Sequence, residues 1–146
     1  MNIARFAGIA LLVFTFSGCG DPTMGRVSGT VTLDGKPLPN AVIYFQPVNG
    51  ERPSGAPTDE KGRYDLMYAT TTAGARVGEH KVTITTYSEM TIDNETGNHS
   101  EGTPELVPDK YNIKSELTAT VKPGQNTIDF SLEPGPISKR NRTPGY

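Results

Sequence analysis

Cysteine is almost missing from this chain of 146 residues, which has a single one, Cys19. One thiol cannot close an internal disulfide, so the fold must hold by its own packing, which a domain of this length can do. Histidine is nearly as scarce, with only His80 and His99. A structural zinc site needs four ligands and a catalytic one three, and neither histidine has the His-x-x-Glu spacing that would put two ligands on one metal. No cofactor or metal site is expected. A basic excess is lacking too: 14 Lys and Arg face 16 Asp and Glu, for a net charge of −2. That excludes charge-driven nucleic-acid binding. The longest apolar run, residues 7–16, has about ten residues, half of what an ordinary transmembrane helix needs.

What the chain does have is 16 Gly and 12 Pro spread between short runs of alternating polarity. That pattern favours an all-β module with many turns. The stretch 27–45, VSGTVTLDGKPLPNAVIYF, organises the rest. Val27, Val31 and Leu33 share one parity, and Ser28, Thr30 and Thr32 the other, as in a half-buried strand. Asp34-Gly35 suits a turn with positive φ, and Pro37 and Pro39 stiffen the connection. The run 41–45 is apolar on both parities and is expected to be a central strand covered on both faces. Further strands are expected at 64–68 and 80–86, after a turn at 58–62 in which Gly62 takes positive φ. The runs 117–121 and 128–132 flank Pro123-Gly124 and read as an antiparallel pair. Residues 88–115 are polar and turn-rich, the least structured part, with room for a seventh strand. About seven strands imply an immunoglobulin-like antiparallel β-sandwich.

At the N-terminus, Arg5 is followed by the apolar run and then by Phe16-Ser17-Gly18-Cys19. This resembles a bacterial lipoprotein signal with its lipobox, where Phe16 stands at a position usually held by Leu. The resemblance implies a diacylglyceryl group on the Cys19 thiol, cleavage before Cys19 and acylation of the new amine. Two or three acyl chains give stable anchoring where one would be marginal. The competing readings are an ordinary cleaved signal and an uncleaved anchor. The expected organisation is a signal peptide at 1–18, a lipidated tether at 19–25, a β-sandwich at 26–133 and a disordered basic tail at 134–146 that carries Lys139, Arg140 and Arg142. The place of such a chain is the cell envelope, facing the periplasm or the cell exterior, with membrane lipid as a partner through Cys19.

The motif Gly29-x-Val31-x-Leu33-Asp34-Gly35-Lys36-Pro37-Leu38-Pro39-Asn40-Ala41-x-Ile43-x-Phe45, then Thr58-Asp59-x-x-Gly62-x-Tyr64, then Gly78-x-His80-x-Val82, resembles a carboxypeptidase regulatory-like domain. Such domains are transthyretin-like β-sandwiches. The segments 107–112, 115–117 and 128–130 resemble small envelope lipoproteins of planctomycetes. The resemblance implies an accessory module, either a structural or protein-interaction unit or a carbohydrate binder, since fold does not imply function. The tail 142–146 does not match the C-terminal tetrapeptide of transthyretin-like hydrolases. His99, Ser100 and Glu101 are neighbours in a loop, which does not build a nucleophilic triad. No catalytic residue is therefore assigned. If a partner protein docks, the expected contacts lie in the long loop: Asp93, Asn94, Glu95, His99 and Tyr111. The acidic cluster there matches no calcium loop spacing and reads as solvated. A sugar-binding face would instead require tyrosines exposed together.

Overall fold

The computed structural model describes residues 21–89, 91–92 and 99–138, of which 91, 92 and 99 are described by backbone alone. The described chain is all-β, a sandwich of two sheets with one 3-10 turn, η1 (Asp109–Tyr111). The first sheet is built on the long strand β1 (Met24–Leu33), which pairs with β2 (Lys36–Pro37), β5 (Arg63–Asp65), β8 (Ala75–Arg76), β13 (Gly124–Thr127) and β14 (Phe130–Leu132). The second runs β12 (Thr118–Val121), β9 (Gly78–Thr85), β3 (Val42–Pro47), β4 (Ser54–Pro57), β6 (Met67–Ala69), β7 (Thr72–Ala73). A small hairpin joins β10 (Thr91–Ile92) to β11 (His99–Ser100). The pairings are antiparallel except those of β1 with β13 and β14, which are parallel.

The first hairpin forms as its residues dictate. Asp34 and Gly35 sit at φ 53° and 73°, and Leu33 faces Lys36 across the two-residue turn. Between the sheets, Phe45 is fully buried. Its ring meets Phe130 edge-on at 6.1 Å and lies 6.4 Å from Tyr64 and 5.7 Å from His80. Burying one such ring contributes about 3 kcal/mol.

Four expectations are corrected. Strand β3 is central, between β4 and β9, but only one of its faces is covered: Ile43, Phe45 and Pro47 are buried while Tyr44 and Gln46 are exposed. Of its outward residues, Val42 and Tyr44 are apolar without being fully covered. The segment 64–68 is not one strand. Residues 63–65 pair with β1 and residue 67 pairs with β4, so the chain changes sheets at buried Leu66. The runs 117–121 and 128–132 do not pair with each other. The first joins β9 antiparallel and the second joins β1 parallel, in opposite sheets. Alternation gave each strand its inward face and carried no information about which sheet would take it. The boundaries also move. Strand β1 already contains Met24 and Gly25. Beyond Glu133, Asp109 N–H donates to Pro136 O and Ser138 donates to the Asp109 carboxylate, so residues 134–138 stay attached to η1. The rest of the expected tail, and Cys19, lie outside the described residues.

Candidate functional surfaces

The sandwich has two distinct ends. At the entry end β1 begins. Met24 faces Arg76, Gly25 faces Gly124, and Val77 N–H donates to Thr23 O at 2.9 Å. The residues around 48–51, 72–79 and 121–125 gather there, with Val48 N–H donating to Glu79 O. Asp21 accepts from the Thr23 N–H at 2.8 Å and from its hydroxyl at 2.7 Å, so the hydrogen-bonded fold starts two residues after Cys19. These bonds hold the Asp21 carboxyl below its ordinary value. Arg76 donates to the Thr23 hydroxyl at 3.0 Å and pairs with Glu51 at 3.0 Å. The half-buried ring of Tyr68 lies under two guanidiniums, Arg76 at 5.3 Å and Arg52 at 5.7 Å.

At the far end β1 finishes, and residues 103–116 of the long connection pack there. Its hub is a residue that sequence reasoning missed. Glu105 is 3% exposed, and every donor it meets is neutral. Oε1 accepts from Thr86 N–H and Val107 N–H, each at 2.9 Å. Oε2 accepts from the Thr85 hydroxyl and the Asn112 amide, each at 2.5 Å. The Thr86 hydroxyl stands 3.0 Å from Oε1 and accepts from Leu106 N–H. A buried carboxylate must be satisfied in this way or be expelled. The sequence carried no signal for it, because the donors lie up to 20 positions away.

Of the expected loop contacts, Asp93, Asn94 and Glu95 lie outside the described residues. His99 is placed only as backbone, opposite Ile92 in the hairpin. Tyr111 is part of the packed end. Its ring rests against the core, its hydroxyl accepts from Glu133 N–H at 3.2 Å, and Lys110 Nζ sits 4.8 Å from its centroid. The structure does not bring Tyr111 and His99 into one described cluster.

His80, on β9 near the entry end, is 1% exposed. Its Nδ1 lies 3.1 Å from Gly78 O, which fixes Nδ1 as the donor in the neutral ring. Nε2 has no partner. Burial pushes the imidazole below its ordinary value, and the contact with Gly78 O opposes this in part. No group of three or more His, Cys, Asp and Glu able to hold a metal occurs among the described residues.

The motif Thr58-Asp59-x-x-Gly62-x-Tyr64 is used up by the fold. Thr58 Oγ1 accepts from Ala41 N–H at 2.9 Å and donates to Leu38 O at 2.7 Å. Gly62 sits at φ 72°, and a Cβ there would stand 2.4 Å from Val31 O. The buried Tyr64 hydroxyl donates to Ile128 O at 2.6 Å, and burial, with Asp129 nearby, raises its pKa. Among the tyrosines, Tyr44 is 45% exposed, its ring lying against Gly55, where a Cβ would be 2.9 Å from Cδ1. Tyr64 is buried and Tyr68, Tyr87 and Tyr111 are half-buried, so the described tyrosines share no exposed face.

No protein-family model and no curated protein matches the chain. Among solved structures, the crystal structure of a 9R-lipoxygenase from Cyanothece is similar over 76% of this chain, at 17% identity and a TM-score of 0.40. The chain spans 16% of that protein's length. No helix among the described residues is long and apolar enough to cross a membrane.

Proposed function

We propose that this chain is a lipid-anchored β-sandwich of the bacterial cell envelope, a structural or protein-interaction module without catalysis of its own. The observation that carries the reading is the contiguity of anchor and fold. Cys19 ends the lipobox-like Phe16-Ser17-Gly18-Cys19, and Asp21 already makes the first hydrogen bonds of the domain. The resemblance to carboxypeptidase regulatory-like domains points the same way, because its motif residues Thr58, Gly62 and Tyr64 serve the fold.

The test is metabolic labelling of the full chain with an alkyne fatty acid in a bacterial host, with the mass of the N-terminal peptide read in parallel. Label on the wild type, lost in Cys19→Ser, is the expected result. A wild-type Cys19 with an unmodified thiol would reject the anchor. The role as an interaction module is tested by crosslinking mass spectrometry on native membranes. A reproducible protein neighbour supports it, and crosslinks only to copies of itself count against it. The carbohydrate-binding alternative rests on Tyr44 alone, and one ring offers less than the shared aromatic face that such binding uses.

A further inference from the structure

We infer that the entry end of the sandwich is a membrane-facing surface that engages anionic phospholipid headgroups of the bilayer holding Cys19; this rests on the lipid anchor proposed above. One residue, Gly20, stands between Cys19 and Asp21, so two Cα–Cα steps give a reach of at most about 7 Å. The headgroup layer on each side of a bilayer is about 5–8 Å thick. With its acyl chains inserted, Cys19 therefore holds residues 21–23 at the headgroups, and whatever is bonded to them comes too. Thr23 is bonded to Val77 and Arg76, and through Arg76 to the ring of Tyr68 beneath Arg52.

The chemistry of that end suits a headgroup layer. Arg26, Arg52 and Lys122 are exposed there and Arg76 is half-buried. They outnumber the acidic Asp21, Glu51 and Glu79, and Arg52 has no carboxylate partner among the described residues. An aromatic ring in contact with guanidiniums is the kind of group that settles at a membrane–water interface. Val48 and Val77 are 68% and 38% exposed at the same end. Where β1 begins there also opens a cavity of about 730 Å³, lined in part by Pro22, Met24 and Pro123. The far end has the opposite balance: carboxylates, among them Asp34, Glu60, Glu89, Glu101 and Glu133, outnumber the cations. An anionic bilayer attracts the first end and repels the second.

The experiment uses the lipidated mature protein in nanodiscs of phosphatidylcholine, with and without phosphatidylglycerol. Hydrogen–deuterium exchange is read on peptides covering 72–79 and 121–126 and on far-end peptides covering 58–63 and 108–112. The expected result is slower exchange at the entry end only, on the anionic discs only. Arg52→Glu and Lys122→Glu, both on exposed side chains, should each weaken that gain about fivefold. Thermal melting of each variant checks that it is folded. Equal exchange at both ends on both lipids, with Cys19 carrying its lipid by mass, would overturn the surface and leave the anchor standing. An unmodified Cys19 would remove the anchor and this inference together.

Discussion

Residues 58–64 and 103–115 are both polar, turn-rich and short of regular structure, yet the carboxylate at the centre of each is bonded by opposite means. The first, Asp59, bonds its own neighbours, while Thr58 and Tyr64 beside it bond into the core. Asp59 accepts from Lys61 N–H and Arg63 N–H at 2.9 Å and from Arg63 Nε at 2.8 Å, all within four positions. Arg63 thereby keeps the Asp59 carboxyl below its ordinary range. The second is held from a distance. Glu105 reaches back to Thr85 and Thr86 and forward to Asn112. Ser115 donates to Val82 O, and Thr103 and Ser88 exchange backbone bonds. Local bonds at the surface exchange easily with water, whereas a buried hub has no substitute partners.

Replacing the hub should therefore cost most. Glu105→Ala strands the N–H groups of Thr86 and Val107 and the Asn112 amide in a buried site. It should lower the stability read by urea unfolding by about 3–5 kcal/mol. Glu105→Gln should fall between, because an amide accepts at one atom only. If Glu105→Ala is nearly neutral, the long connection is not held by its hub and the comparison collapses.

Gly62→Ala probes the place where the backbone of the turn meets β1. The positive φ and the approach to Val31 O together should cost about 2–3 kcal/mol. A smaller loss would mean that the turn relaxes independently of β1.

Acid adds a baseline from His80, which is buried in the sheet that carries Thr85. Its folded pKa lies below the ordinary 6.5, so the unfolded chain binds the proton more readily. Its contribution is intact above pH 6.5 and is lost as pH falls below it, by at most about 1.4 kcal/mol per pH unit. His80→Phe should flatten that part of the stability curve, and an unchanged slope would exclude His80 as its source. The smallest effect is expected from Asp59→Ala, whose bonds are exposed: a shift in Tm of about 4 °C or less.

The same contrast explains what was legible. The hairpin at 34–35, the glycine of the 58–62 turn and the inward faces of β1, β9, β12 and β14 follow from dihedral preference and period-2 alternation, which neighbouring residues express by themselves. The partner of each strand did not follow. Residues 128–132 look like the return arm of a hairpin from 117–121 but cross to the other sheet beside β1. Tyr44 and Val42 read as core because they are apolar, and only the packing leaves Tyr44 in water. Tyr111, expected in a binding loop, is drawn into the domain by Glu133 and the core.

The sequence by itself determined the class of fold, the turns and the place of Cys19 immediately before the domain, because these depend on residues close together in the chain. Only the tertiary structure decided the sheet assignments, the role of Glu105 and the gathering of Arg26, Arg52, Arg76 and Lys122 at the end nearest Cys19. Those depend on groups up to about a hundred positions apart, such as Arg26 and Asn126, whose meeting is set by how the two sheets close over one core.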